Sequence, residues 1–234
     1  MSKIIESGNG SLLPGLKEQQ AISRRKFLGY GGAATALVIG IAACNKDDDN
    51  MPSNGINLGS GDKGILNYAY ALEQLEAAFY TQVLASPYSG GAAAEMALLA
   101  DIRDHEIAHR EFFKNALGSD AIQALTPNFS AVNFTSRDSV LATAKAFEDL
   151  GVSAYNGAGS LITTGAYLTL AGKIVSVEAR HAAYIRDLIS NGSFADSSVI
   201  DANGLDMSRK PAEVLAIANT FLTTKVAGNN LPTS

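Results

Sequence analysis

Glu106-Ile-Ala-His109 and Glu178-Ala-Arg-His181 place a carboxylate three residues before an imidazole twice, 72 residues apart, and use two of the chain's three histidines. On a helix, residues i and i+3 lie on one face about a turn apart. Each pair can therefore bind one metal ion, or the two pairs can share two. A single Glu-x-x-His is a weak signal. With ten Glu in 234 positions, a given His has Glu three places earlier roughly 4% of the time, and two hits among three His arise by chance on the order of 0.5% of the time.

An internal repeat adds two more carboxylates. LEQLEAAFY (72–80) aligns with FEDLGVSAY (147–155): Glu73 matches Glu148, Leu75 matches Leu150, and Tyr80 and Tyr155 each follow seven residues after their Glu. Seven residues is two helical turns, so each Tyr shares a face with its Glu. The Glu pair is offset by 75 residues and the Glu-x-x-His pairs by 72, which reads as two copies of one helical hairpin. Such copies would set Glu73, Glu106, His109, Glu148, Glu178 and His181 around a pseudo-twofold axis. Six ligands of these types are what a di-iron or di-manganese carboxylate site in a four-helix bundle requires. Carboxylates bridge two cations and offset their charge, while neutral imidazole binds Fe, Mn or Zn terminally. Four ionised Glu in an apolar core are costly without metal, so metal binding and folding are expected to be coupled.

Each choice has a competitor. Glu106 and Glu178 as solvated helix faces, with surface His109 and His181, is disfavoured because four helices agree. Glu76 rivals Glu73, having the more apolar neighbours Leu72, Phe79 and Val83, but Gly151 stands at its repeat position, and the repeat favours Glu73. Tyr80 and Tyr155 read first as core aromatics, with hydrogen bonding to bridging carboxylates or radical chemistry as the functional alternative. His105 points about 100° away from Glu106 and is expected at the surface or behind the ligands. Asp101 and Asp187 are candidate acceptors for the ring N–H groups of the metal-binding histidines.

Four long helices must position these residues. Asp62 is a plausible N-cap for the first, which ends near Pro87 and Gly90-Gly91. The second runs from about Ala92 to Ala116 and stops at Gly118. Residues 126–134 form an extended crossover. Thr135 or Ser136 caps a third helix from about Arg137 to Asn156, broken by Gly157 and Gly159. The fourth runs from Thr164 or Ala166 to Ser190, closed by Asn191-Gly192. Lys210-Pro211 starts a fifth, to about Val226, and the tail is expected to fray. No run alternates like a strand. The class is all-α: an antiparallel four-helix bundle (62–190) with one long crossover, then a loop, a C-terminal helix and a tail (191–234).

The first 43 residues read as an address. Ser23-Arg24-Arg25-Lys26-Phe27-Leu28 leads into a short, uncharged, glycine-rich stretch that ends before Cys44. This is the layout of a secretory signal and too short to span a bilayer comfortably. Arg24-Arg25 with Phe27-Leu28 resembles the twin-arginine export signal, and Ile41-Ala42-Ala43-Cys44 resembles a bacterial lipobox. That resemblance implies a mature protein that begins at lipidated Cys44, exported and membrane-anchored, facing the periplasm or cell surface. Cys44 is the sole cysteine, which excludes an intramolecular disulfide. Residues 44–61, rich in Asp, Asn, Gly and Ser, read as a flexible tether. Residues 1–43 carry five Lys/Arg and two Glu, so the remaining chain has net charge −8 against −5 for the whole. An acidic domain of this kind argues against a nucleic-acid partner.

NYAYALEQLEAAFY, DHEIAHREFF, FEDLGVSAYNGAG and SVEARHAAYIR together resemble the ferritin-like domain family of exported bacterial proteins, which also includes plant desiccation-related proteins. The resemblance covers roughly 62–190. It implies the ligand order Glu, Glu-x-x-His, Glu, Glu-x-x-His, and every member of that set is present here. It also implies two Fe or Mn ions, with oxygen or peroxide as substrate in a ferroxidase-like or peroxide-detoxifying reaction. The alternative is a non-catalytic metal-binding or stress- and desiccation-protective surface lipoprotein. The fold alone does not choose a reaction. A lipid anchor on every chain is compatible with a homo-oligomer and argues against a closed cage.

Overall fold

The computed structural model describes residues 55–233. Four long helices form the body: α1 (Gly61–Ala85), α2 (Ala93–Leu117), α3 (Arg137–Gly159) and α4 (Gly165–Ile189). A short α5 (Pro211–Ala218) follows, and two three-residue strands, β1 (Gly55–Asn57) and β2 (Lys225–Ala227), pair in parallel. α1 packs mainly on α2, and α3 on α4, so the bundle is two hairpins joined by the long connection over residues 121–136. The expected all-α architecture with one crossover is the observed one.

Burial explains the helix faces. α1 is buried nearly all round, which suits the central helix of a bundle. α2 buries one stripe, Leu99, Ile102, Glu106, Phe113 and Leu117, and α4 buries Ile174, Glu178, His181, Ala182 and Ile185. These spacings are those of a single helix face, and the carboxylates sit within the apolar stripe rather than opposite it. The crossover contributes Phe129 and Phe134 to an aromatic cluster around Phe79, whose ring meets Phe147 edge-on at 5.1 Å. Beside the site, Arg186 of α4 clamps Asp149 of α3 with two parallel hydrogen bonds of 2.7 and 2.9 Å. Asp149 follows Glu148, so this bidentate pair fixes the rotation that turns Glu148 inward.

Several boundaries differ from the sequence expectation. Ser60, not Asp62, is the N-cap position of α1; the Asp62 carboxylate instead accepts from the backbone N–H groups of Thr163 and Thr164, at 2.8 Å each, where α4 begins. Gly157 does not break α3. A Cβ there would lie 1.8 Å from the Arg209 carbonyl oxygen, so this glycine serves close backbone approach. α5 stops at Ala218 because the Asn219 side chain takes over the backbone groups of Val226, at 2.8 and 3.0 Å, and folds the chain back into β2. The expected tether is structured in part: Gly55–Asn57 forms β1 and Leu58 is buried. Leu231, in the tail, is buried as well. The signal at 1–43 and Cys44 lie outside the described residues. Among the described residues no helix is long and apolar enough to cross a membrane.

Candidate metal centre

The structure brings together all six residues that the sequence singles out, one Glu from each helix and a His from α2 and α4. Glu73, Glu106, Glu148 and Glu178 are each 0% exposed. Nδ1 of His109 lies 3.0 Å from Glu178, 3.4 Å from Glu73 and 3.4 Å from Glu106. Nδ1 of His181 lies 2.8 Å from Glu106, 3.5 Å from Glu148 and 3.9 Å from Glu178.

The hydrogen-bond inventory divides the carboxylates into two kinds. Tyr155 donates its hydroxyl to Oε1 of Glu73, and Tyr80 donates to Oε1 of Glu148, leaving one oxygen on each carboxylate without a partner. Glu106 and Glu178 have both oxygens unpartnered, and so are the Nδ1 atoms of His109 and His181. Close N···O approaches without hydrogen-bond geometry mean that the lone pairs converge on shared points rather than on each other. Buried polar atoms are otherwise almost always paired, so eight orphans in one cluster require an explanation. Metal ligation supplies one. Two sets of four ligand atoms, each set lying within 4.8 Å, could hold an ion: Glu73, Glu106, His109 and Glu178, and Glu106, Glu148, Glu178 and His181. The two sets share Glu106 and Glu178, the carboxylates with both oxygens free. The donor set of carboxylate oxygens and imidazole suits a divalent transition metal.

The electrostatics show what the protein does with this cluster when protons are its only cations. Burial pushes the Glu73 carboxyl up to about 7 and those of Glu76 and Glu178 well above the usual range, with neighbouring carboxylates adding to the shift. Burial also raises Glu148. Glu106 is buried too, but the close His109 and His181 rings outweigh that penalty and hold it down at about 2. For His181 burial favours the neutral ring, yet Glu106 and Glu148 overcome it and raise the imidazole to about 11; His109 is raised in the same way, by Glu73, Glu106 and Glu178. The site thus attracts positive charge strongly at both Nδ1 positions.

A family model for the ferritin-like domain matches residues 61–191. The chain belongs to the ferritin-like domain family. No curated protein matches it. The matched span begins with α1 and ends just after α4, so the family domain is the bundle that carries the cluster.

Some neighbours of the site differ from expectation. The tyrosines are buried aromatics, as core packing requires, and also bind carboxylates, but each reaches the unshared Glu of the opposite hairpin rather than a bridging one. Asp187 accepts from Asn191 and the Gly192 N–H at the end of α4, and among the described residues no hydrogen bond joins it to a histidine. The partner of His181 is His105, with Nδ1 2.9 Å from His181 Nε2. Their rings are parallel to within 6° at a centroid distance of 5.2 Å, which with that short N···N contact places them edge to edge in nearly one plane. Burial, followed by the charges of His181 and His109, lowers the pKa of His105 and keeps it a neutral acceptor. No periodicity could have revealed this pairing across 76 residues. Glu76, the rival of Glu73, is also buried beside the cluster.

Proposed function

We propose that the protein holds two Fe or Mn ions between its four helices and reacts them with oxygen or peroxide, as a ferroxidase-like or peroxide-detoxifying protein. The observation that carries this reading is the pattern of free lone pairs: one oxygen each on Glu73 and Glu148, two each on Glu106 and Glu178, and Nδ1 on both histidines. In that arrangement Glu106 and Glu178 would bridge, while Glu73 with His109 and Glu148 with His181 would each complete one ion's ligand set. When bound, such a pair supplies reversible one-electron chemistry toward an oxidant at neutral pH.

The chain's own residues provide the rest. Tyr80 and Tyr155 orient the two terminal carboxylates through their second oxygens. The buried faces around the cluster exclude water, which strengthens every charge interaction inside. His109, whose side chain is 13% exposed, marks the side of the cluster nearest solvent. The layout of residues 1–44 supports a protein exported through the twin-arginine route and anchored to a membrane through lipidated Cys44, facing the periplasm or surface. Metal ions and oxygen or peroxide are its partners in this reading, and the acidic domain does not suit nucleic acid.

The test is metal content per chain of the full-length protein after Fe or Mn supply, beside Glu106→Ala and Glu178→Ala. About two ions per chain, absent from both variants, is the expected result, followed by peroxide and Fe(II) oxidation assays. Ions without turnover would leave a metal-binding lipoprotein, and no ions in folded wild type would remove the site. Loss of fatty-acid labelling in Cys44→Ala tests the anchor.

A further inference from the structure

Residues 194–209 lie against α3 and α4 and leave a cavity of about 240 Å³ between loop and helices. Its walls are largely apolar. Val152 and Ala182 are buried, whereas Phe194 and Met207, on the loop, are 58% and 38% exposed. Large apolar side chains left open around a concave space are what a ligand would cover. Two arginines line the same space, and they differ in what they have left to donate. Arg186 is spent, because Asp149 takes the Nε–Nη2 edge of its guanidinium and Asp196 and Ser198 take the rest. Arg209 is not. It has no carboxylate partner among the described residues, and only its Nη1 is engaged, with the Ser153 hydroxyl and the Asp149 carbonyl. Its Nε and Nη2, the edge by which Arg186 holds Asp149, have no partner among those residues. The backbone of Arg209 is fixed in advance: its N–H donates to the Ser153 carbonyl at 2.9 Å, and its own carbonyl oxygen lies over Gly157.

We propose that this cavity binds a small monocarboxylate with an apolar body, its head on the free edge of Arg209 and its body against Val152, Ala182, Phe194 and Met207. The site is separate from the metal centre and does not require bound ions. Size limits the body. A cavity of about 150 Å³ accepts benzene, so this one suits a molecule of about nine non-hydrogen atoms. Charge selects the head. The Nε–Nη2 edge offers two parallel donors, which match the two oxygens of a carboxylate. A phosphate dianion would need a second free cation, and Arg186 is already neutralised. Asp206, the other charged residue of the lining without an ion pair, is exposed, and water screens it from a single negative charge held on Arg209. Because Ser153 and the Arg209 backbone hold the guanidinium before the ligand arrives, little ordering cost remains to be met on binding.

The experiment is equilibrium dialysis of labelled benzoate against the full-length protein in non-ionic detergent, with empty micelles as blank, with and without added Mn(II). Uncharged benzamide and cationic benzylamine are compared in the same way. Saturable binding of benzoate is expected, displaced by hexanoate and equal with and without Mn(II). Benzamide and benzylamine should bind at least about tenfold more weakly, as the loss of a charge-assisted pair requires. Arg209→Gln should weaken benzoate by a similar factor, and Ala183→Leu, which places a larger side chain in the lining, should abolish its binding. Benzamide or benzylamine binding as tightly as benzoate overturns the proposal, and so does wild-type affinity for benzoate in either folded variant. Binding that appears only with Mn(II) would put the benzoate on the ions instead, and an absence of saturable binding would leave the cavity without this ligand; both overturn the proposal without touching the dinuclear reading. If Arg209→Gln does not fold, Ala183→Leu and the benzamide comparison decide.

Discussion

The Tyr80 hydroxyl, on α1, is hydrogen-bonded to Glu148 on α3, and Tyr155 on α3 is hydrogen-bonded to Glu73 on α1. Each tyrosine thus serves the carboxylate of the other hairpin, and the exchange ties the two halves together at the site. Tyr80→Phe and Tyr155→Phe keep the ring volume and remove only the donor, leaving Glu148 or Glu73 with a second unpartnered oxygen. Each change should destabilise the metal-free protein by about 1–3 kcal/mol, the cost of an orphaned buried acceptor. The effects should be similar because the two bonds are equivalent under the pseudo-twofold. Urea denaturation of both variants checks this, and a cost below about 0.5 kcal/mol in either would mean that the hydroxyls carry no weight there.

The metal-free protein should be most stable near pH 4–5 and lose stability on both sides. Glu106 is held at about 2 against an ordinary 4.5, so its contribution is present above pH 4.5 and is lost as pH falls toward 2. The raised groups act in the opposite direction. Glu73, at about 7, keeps its proton in the folded chain after the unfolded chain has lost it, so folding weakens as pH rises from 4.5 to 7. Glu76, Glu148 and Glu178 are raised and add to that slope. His181, raised from 6.5 to about 11, stabilises fully below pH 6.5 and progressively less up to 11. Bound ions replace these protons, so loaded protein should show a flatter profile between pH 5 and 9. Urea midpoints at several pH values, with and without metal, decide the matter; an unchanged slope on loading would count against coupling of the ions to these groups.

The residues of the cluster were legible because a polar residue inside an apolar stripe, repeated at offsets of 72 and 75, is a pattern along the chain. What the repeat could not show was contact between its copies. Tyr80 shares a face with Glu73 by its spacing, yet its hydroxyl crosses to Glu148, a distance that exists only after the hairpins pack. Glu76 was obscured for a related reason: the repeat marks Gly151 as a missing carboxylate, whereas the packed structure shows it as room for one. Gly157 read as a helix breaker by propensity, but tertiary contact with Arg209 gives a glycine another use. The end of α5 depended on one side chain, Asn219, whose hydrogen bonds to Val226 outweigh an apolar pattern that continues to Val226.

His105→Ala should weaken metal binding without weakening the fold. His181 must leave Nδ1 free for an ion, so its Nε2 carries the proton and donates to His105 Nδ1 at 2.9 Å. Removing that acceptor lets the ring turn and lowers its basicity as a ligand, which typically costs 10–100-fold in affinity. His105 keeps one side exposed to solvent, so urea stability of the metal-free variant should stay within about 0.5 kcal/mol of wild type. Chelator competition measures the first quantity and denaturation the second. Wild-type affinity in the variant would reduce His105 to a surface residue.

Bridging and terminal carboxylates should separate in an ion count. Glu73 offers one free oxygen, to the set that contains His109, whereas Glu178 offers two and belongs to both sets. Glu73→Ala therefore leaves the Glu106, Glu148, Glu178 and His181 set complete, and about one ion per chain should remain. Glu178→Gln keeps the shape and one acceptor oxygen but removes the bridging charge, and both ions should be lost or bound far more weakly. The same substitution should make the metal-free protein more stable, by about 1 kcal/mol or more, because Glu178 is the shared carboxylate that burial and its neighbours push well up, and Gln cannot ionise there. Opposite signs for metal affinity and metal-free stability at one residue mark a group kept for binding rather than for folding. Equal ion counts in Glu73→Ala and Glu178→Gln would contradict the division into terminal and bridging ligands, and a less stable metal-free Glu178→Gln would show that this carboxylate supports the fold in its own right.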